Sequence, residues 1–190
     1  VDAAALRRNL TILADVRDRA GITMLCAMKA FSMWRTAPLI GEYLDAVCTS
    51  GLWEARLASE HYNMGEIATY CAGYKEANMA EIVAISDHVI FNSPAQKDRF
   101  RAFTDTKPSL HIGLRINPMH AEGEVEKYDP CQPHSRLGFP VDQLTDAHLD
   151  GVDGLHLHTL CEQDFEPLAR TWAALKPKIE QHFPRLKWLN

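Results

Sequence analysis

Two apolar segments of the sequence end in side chains able to do chemistry. Cys26-Ala27-Met28-Lys29-Ala30-Phe31 delivers a lysine, and Gly154-Leu155-His156-Leu157-His158-Thr159-Leu160-Cys161-Glu162-Gln163 delivers two histidines in alternation. A lysine pointing into largely apolar surroundings loses its proton readily and becomes an amine nucleophile toward carbonyl groups. An isolated strand-end lysine more often snorkels to solvent. Here the Met28 and Phe31 flanks, and the position at the end of a strand, favour the nucleophile. His156 and His158 lie two apart and so share one face of a strand. A satisfied core histidine is the plain reading, and His-x-His is also a familiar metal-ligand spacing.

Arg115 follows Gly113-Leu114 inside another apolar run, where a guanidinium needs an anion or a carbonyl as partner. A buried structural pair and a cofactor oxygen fit it equally. No acidic or histidine partners end the other strands, so a metal site ranks below a ring-stacking role for His158, with His156 as a deeper hydrogen-bonded group. A lysine nucleophile together with a stacking histidine points to pyridoxal phosphate.

The elements that must position these groups alternate. Helical spacing predicts helices over 2–19, 38–44, 52–62, 76–85, from Pro94 to about Phe103, and over 165–182. Between them lie seven short apolar strands, 22–28, 46–49, 67–71, 88–91, 110–116, 152–157 and 186–189. Gly21 ends the first helix, and Ser93-Pro94 with Gln96 predicts a capping box. The stretch 117–140 carries four prolines and no periodicity, the mark of a functional or disordered loop. Strand-helix alternation argues for a parallel sheet in an α/β fold. There is no Gly-x-Gly-x-x-Gly, no P-loop and no His-Glu-x-x-His, which favours a β/α barrel of TIM type over a nucleotide-binding fold. Lys29, Ser50, Asn92, Arg115, Asn117 and His158 fall at or near strand ends, where such barrels place catalysis. Seven of eight strands are visible, so the 190 residues are predicted to be one partial barrel within a longer protein.

Composition narrows the classes further. A net charge of −5 and the lack of any basic run argue against nucleic acid. Five widely spaced cysteines without a Cys-x-x-Cys suggest a reducing, cytoplasmic setting. No apolar run approaches a membrane span. Asn9-Leu10-Thr11 matches a glycosylation triplet but sits within the predicted first helix.

The motifs also carry a resemblance. Ala27-Met28-Lys29-Ala30-Phe31, Tyr70-Cys71-Ala72-Gly73-Tyr74-Lys75, Phe91-Asn92-Ser93 and Gly113 to Pro118 match in order. They are followed by Tyr128-Asp129-Pro130-Cys131, Ser135-Arg136-Leu137-Gly138, Gly154 to Gln163 and Leu186 to Asn190. Over nearly the whole chain the sequence resembles the pyridoxal-phosphate-dependent decarboxylases with an alanine-racemase-like barrel, the group of ornithine and diaminopimelate decarboxylases. His158-Thr159-Leu160-Cys161-Glu162 and the Tyr-Asp-Pro-Cys loop set it closest to the branch that decarboxylates carboxylated polyamines.

The resemblance implies that Lys29 anchors pyridoxal 5'-phosphate covalently, His158 stacks on its ring, Arg115 contacts the cofactor region and Cys161 stands near the phosphate. A cationic polyamine tail would need acidic or carbonyl partners, for which Glu162 is a candidate by proximity alone, and Glu54 lies near a family carboxylate position. It further implies a homodimer and a C-terminal β domain. The glycine-rich phosphate loop and the carboxylate for the pyridine nitrogen would follow Asn190. The isolated 190 residues are therefore expected to be inactive and poorly stable. A diaminopimelate decarboxylase or an amino-acid racemase of the same fold, a non-catalytic regulatory homologue and a metal-dependent hydrolase remain as competing readings.

Overall fold

The computed structural model describes residues 1–190, which divide into two compact units. The first comprises Val1–Val89 with Lys107–Leu110, and the second Ile90–Thr106 with His111–Asn190.

The first unit opens with helix α1, Ala3–Ala20. Asp2 starts it by accepting the Ala4 and Ala5 N–H groups at 2.9 and 3.0 Å. Gly21, at φ 63°, ends it in the left-handed conformation that a residue without Cβ adopts freely. Strands β1 (Leu25–Ala27), β2 (Ala46–Thr49) and β3 (Ile67–Tyr70) follow, each joined to the next by helical segments, α2 (Ala37–Ile40) and α3 (Leu52–His61). They pair in parallel, with Cys26 beside Val47 and Cys48 beside Ala68. Helix α4 (Glu76–Ile85) leads to β4 (His88–Phe91), the strand within which the division between the units falls.

Parallel strands are covered on both faces and so read as apolar runs. Cys26, Met28, Ile40, Val47, Ala58 and Ile67 form the core here, joined by Leu10 of α1. The polar members are paired: a hydroxyl chain runs from Thr49 to Thr69 at 2.8 Å and on to Ser86 at 2.7 Å.

The second unit contains short helices α5 (Pro94–Arg99) and α6 (Arg101–Thr104), strands β5 (His111–Asn117), β6 (Phe139–Pro140) and β7 (Gly154–His156), helix α7 (Phe165–Ile179) and strand β8 (Trp188–Leu189). β5 pairs with β7, and β7 with β8, all parallel; β6 adds to β5 with Ile116 beside Phe139. Leu114, Ile116, Leu149 and Leu155 meet Leu175 and Ile179, the inward stripe of α7.

One device recurs in both units. An aspartate just before a strand accepts a backbone N–H at the start of the neighbouring strand. Asp45 takes Met24 at 2.8 Å, Asp87 takes Ile67 at 2.9 Å, and Asp153 takes Ile112 at 2.9 Å.

All seven predicted strands are present, most trimmed at their ends, and β6 is an addition inside the predicted loop. The predicted capping box differs in detail. Ser93 Oγ does accept the Gln96 N–H at 3.2 Å, but Gln96 Oε1 takes the N–H of Asn92, one residue before the cap. The predicted helix over 94–103 breaks at Phe100, which turns inward (1% exposed) to stack on Phe91. No helix is long and apolar enough to cross a membrane.

Candidate active site

Lys29 belongs to the first unit. β1 stops at Ala27, and Met28 N–H still donates to Cys48 O at 3.0 Å. A tight turn follows, with Ala30 and Phe31 N–H both returning to Ala27 O at 3.0 and 3.1 Å. The turn buries Met28 and sends Lys29 out to an exposed position. The apolar surroundings expected for the lysine are thus those of its neighbour, because the turn interrupts the strand alternation. Burial raises the pKa of the Cys48 thiol, and the positive charge of Lys29 opposes that rise. Glu54 is engaged locally: its Oε2 accepts the N–H of Ser50, one residue before the Gly51 cap of α3, at 2.7 Å.

The other predicted residues belong to the second unit. Arg115 lies inside β5 rather than at its end and is 4% exposed. Its partner is a carbonyl, with Nη2 donating to His158 O at 3.3 Å. Cys131 packs in the same region. Burial, with the neighbouring Asp129 carboxylate, pushes its thiol up to about 12, against the pull of Arg115. Asp129 organises this loop by accepting the Cys131 N–H at 2.7 Å and the Gly123 N–H.

His156 closes β7, and its Nδ1 faces Asn190 Oδ1. The backbones of Leu155, Leu157 and Asn190 are tied by bonds of 2.8 and 2.9 Å. His156 is thus the deeper, hydrogen-bonded histidine, and His158, two residues past the strand, is exposed. Cys161 and Glu162 are exposed on the turn that follows. No group of three or more histidine, cysteine, aspartate or glutamate side chains is arranged to hold a metal ion.

Two non-glycine residues take left-handed backbone conformations, Met119 at φ 55° and Glu162 at φ 54°. Each costs roughly 1–2 kcal/mol and persists because neighbouring structure over-determines it. They follow the C-terminal ends of the paired strands β5 and β7. Met119 is held by its N–H on Asn117 Oδ1 at 2.9 Å.

Sequence reasoning missed the group beside Glu162. Glu122 accepts Arg170 Nε at 2.9 Å on one carboxylate oxygen and Nη2 at 2.6 Å on the other, with His120 Nε2 at 2.7 Å. Arg170 first, then His120, hold the Glu122 pKa down at about 2. The Glu122 carbonyl also accepts the side-chain amide of Gln163. The usable signal in the sequence was a His-x-Glu inside an otherwise irregular loop.

The long loop itself folds on a clamp. Asn92 Nδ2 donates to Arg136 O, and Asn92 Oδ1 accepts the Gly138 N–H, both at 2.8 Å. Gly138 has φ 84°, and a Cβ there would stand 2.7 Å from the Ile116 carbonyl carbon. Ser135-Arg136-Leu137-Gly138 thus ends in a residue that only glycine satisfies. Between Val125 and Leu137 the loop lines an open concavity of about 840 Å³, with Tyr128, Asp129, His134 and Arg136 among its walls.

No family model matches the chain. A carboxynorspermidine/carboxyspermidine decarboxylase of Campylobacter jejuni is 37% identical over 185 residues, covering 97% of this chain and 47% of that protein. A carboxyaminopropylagmatine decarboxylase of a Synechocystis species is 31% identical over 97% of this chain and 47% of its own length. The crystal structure of carboxynorspermidine decarboxylase from Campylobacter jejuni, complexed with norspermidine, superposes with a TM-score of 0.86 at 34% identity, over 98% of this chain and 47% of that one. A diaminopimelate decarboxylase structure, at 19% identity and a TM-score of 0.75, shares the fold alone. The chain spans about half the length of the curated relatives it matches. The expected α/β fold, part of a decarboxylase barrel, is borne out by these superpositions. Over the residues it spans, the chain is similar to carboxynorspermidine/carboxyspermidine decarboxylases in both sequence and fold.

Proposed function

We propose that this chain is the lysine-bearing part of a pyridoxal-phosphate-dependent decarboxylase that converts carboxynorspermidine or carboxyspermidine to norspermidine or spermidine. The observation that carries the reading is the likeness to the Campylobacter jejuni enzyme, 37% over nearly the whole chain, with a lysine exposed just past the end of β1. The side chains fit the cofactor's chemistry. An aldehyde needs an accessible primary amine, which Lys29 offers, and a flat heteroaromatic ring needs an exposed planar partner, which His158 offers.

When bound, pyridoxal phosphate supplies the electron sink for loss of the carboxylate. The chain's own residues bind and orient. Lys29 would hold the cofactor through its exposed amine. His158 would stack on the ring, its backbone held by Arg115 through the His158 carbonyl. The buried Arg115 charge also sets the local field for an anionic cofactor. Cys161, exposed, would be a weak donor to the phosphate. Glu162, exposed beside it, is the carboxylate proposed for the cationic tail of the substrate. The whole protein is proposed to act as a homodimer in the cytoplasm.

A second substrate is favoured by a specific observation: the 31% identical relative is named for carboxyaminopropylagmatine. The test uses the full-length protein. Pyridoxal phosphate is added, borohydride traps the adduct, and peptide mass spectrometry locates it. A pyridoxyl group on Lys29, absent in Lys29→Ala, is expected, with CO2 released from one of the three carboxylated amines. Lack of an adduct in the wild type would refute the cofactor assignment. An adduct without turnover of any of the three would refute the substrate class.

A further inference from the structure

The turn 158–163 has neither helix nor strand to hold it, yet it carries His158, Cys161 and Glu162. Two attachments from outside reach it. Arg115 binds the carbonyl of its first residue, and the side chain of its last, Gln163, binds the carbonyl of Glu122. We propose that Glu122 is a positioning residue, which clasps Arg170 and His120 with its carboxylate and Gln163 with its carbonyl, and so holds the turn that presents His158 and Glu162.

Several features separate this clasp from an ordinary surface ion pair. The Glu122 side chain is 12% exposed, against 58% for Arg170, whereas in the Arg7–Glu42 pair both side chains are more than half exposed. Exposed pairs of that kind contribute little. Glu122 takes a two-point contact from a guanidinium and a third contact from an imidazole, so its position is fixed in direction as well as distance. Arg170 stands on α7 next to the buried Thr171, and that helix is anchored in the core by Leu175 and Ile179. The clasp therefore ties two irregular segments to a rigid element. Both segments hold a left-handed residue, Met119 and Glu162, whose conformations need such support. At Glu162 that support comes from its neighbour Gln163.

The role of the turn in catalysis rests on the function proposed above, but its positioning does not, and the experiment separates them. In full-length protein without cofactor, protease Glu-C cuts after Glu162 wherever the turn opens. Loss of a charge-assisted hydrogen bond shifts local opening by about tenfold or more. Glu122→Gln and, independently, Arg170→Met are expected to speed the cut at Glu162 by about that factor relative to the cut at Glu60, which lies in the other unit. The exchange Glu122→Arg with Arg170→Glu is expected to restore part of the protection. An unchanged ratio in both single variants overturns the proposal. With cofactor, each variant should still trap pyridoxal phosphate on Lys29 while kcat falls more than KM rises. Faster cutting with unchanged kcat overturns the catalytic half of the proposal. Failure of the wild type to form the Lys29 adduct sinks the assigned function and leaves the clasp to be judged by cleavage alone.

Discussion

Adding one methyl group at Gly154 tests the packing that sets β5, β7 and β8 side by side. Gly113, Gly154 and Trp188 occupy one row across the three strands. The Trp188 indole lies over both glycines: a Cβ on Gly154 would stand 2.0 Å from Cδ2 and 2.2 Å from Cε2, and a Cβ on Gly113 would stand 2.6 Å from Cη2. Ordinary carbon–carbon contact needs about 3.5 Å, so the rigid ring must retreat by roughly 1.5 Å or drag β8 with it. Overpacking of this kind costs about 1–3 kcal/mol. Without the indole the sign reverses, because alanine in a strand interior is favoured over glycine by roughly 0.5–1 kcal/mol. Gly154→Ala is therefore expected to destabilise the protein, lowering Tm by about 2–4 °C per kcal/mol at this size. The same change made in a Trp188→Leu background should be neutral or stabilising. Thermal and urea unfolding of the four proteins in the cycle measure the coupling, expected at about 1 kcal/mol or more. A Gly154→Ala protein as stable as the wild type, or an equal cost in both backgrounds, would refute the packing argument.

Other outcomes follow from the same geometry. Burial alone would raise the Asp153 pKa, but Lys187, the Ile112 N–H and His111 outweigh it and hold the carboxyl below its ordinary value. Its stabilisation is thus complete above the unfolded value of about 3.8 and fades as pH falls through the lower folded value. Asp153→Asn should cost about 1–2 kcal/mol at neutral pH and flatten the acid limb of the stability profile; an unaltered limb would exclude the role. Glu122 contributes with the same sign, fully above its unfolded value of about 4.3 and lost on approach to about 2, so Glu122→Gln should remove a separate part of that limb. Cys161, exposed, should react first with a thiol reagent at mildly alkaline pH, while Cys131, with its thiol pushed up to about 12, reacts last; equal rates would contradict the burial. Asn92→Ala removes both bonds to the 135–138 segment and should speed tryptic cutting after Arg136, with no change in rate counting against the clamp.

The contrast between predicted and observed elements follows the range of the forces involved. The bounds of α4, β2 and β4 agree with the sequence at both ends, because strand-forming runs and helical spacing are local properties. The bounds of β1 do not: it begins at Leu25 rather than Ile22, since Asp45 draws the Met24 backbone into a reciprocal contact before the ladder starts. The break at Phe100 likewise depends on a ring from another element. Among the candidate residues, the strand-end positions of Lys29 and His158 were legible from apolar runs that stop. That Lys29 is exposed was not, because the turn after Ala27 is decided by backbone bonds that leave no mark in residue type.

By itself the sequence determined the kind of protein: alternating parallel strands and helices, a lysine and a histidine just past strand ends, a carbonyl or anion required by Arg115, and a family likeness carried by ordered motifs. Tertiary structure decided which partner each group took. Arg115 meets the His158 carbonyl 43 residues on, and Glu122 meets Arg170 48 residues on. Periodicity constrains neighbours along the chain, whereas such pairs exist only once folding has brought distant segments into contact and excluded the water that would otherwise satisfy them.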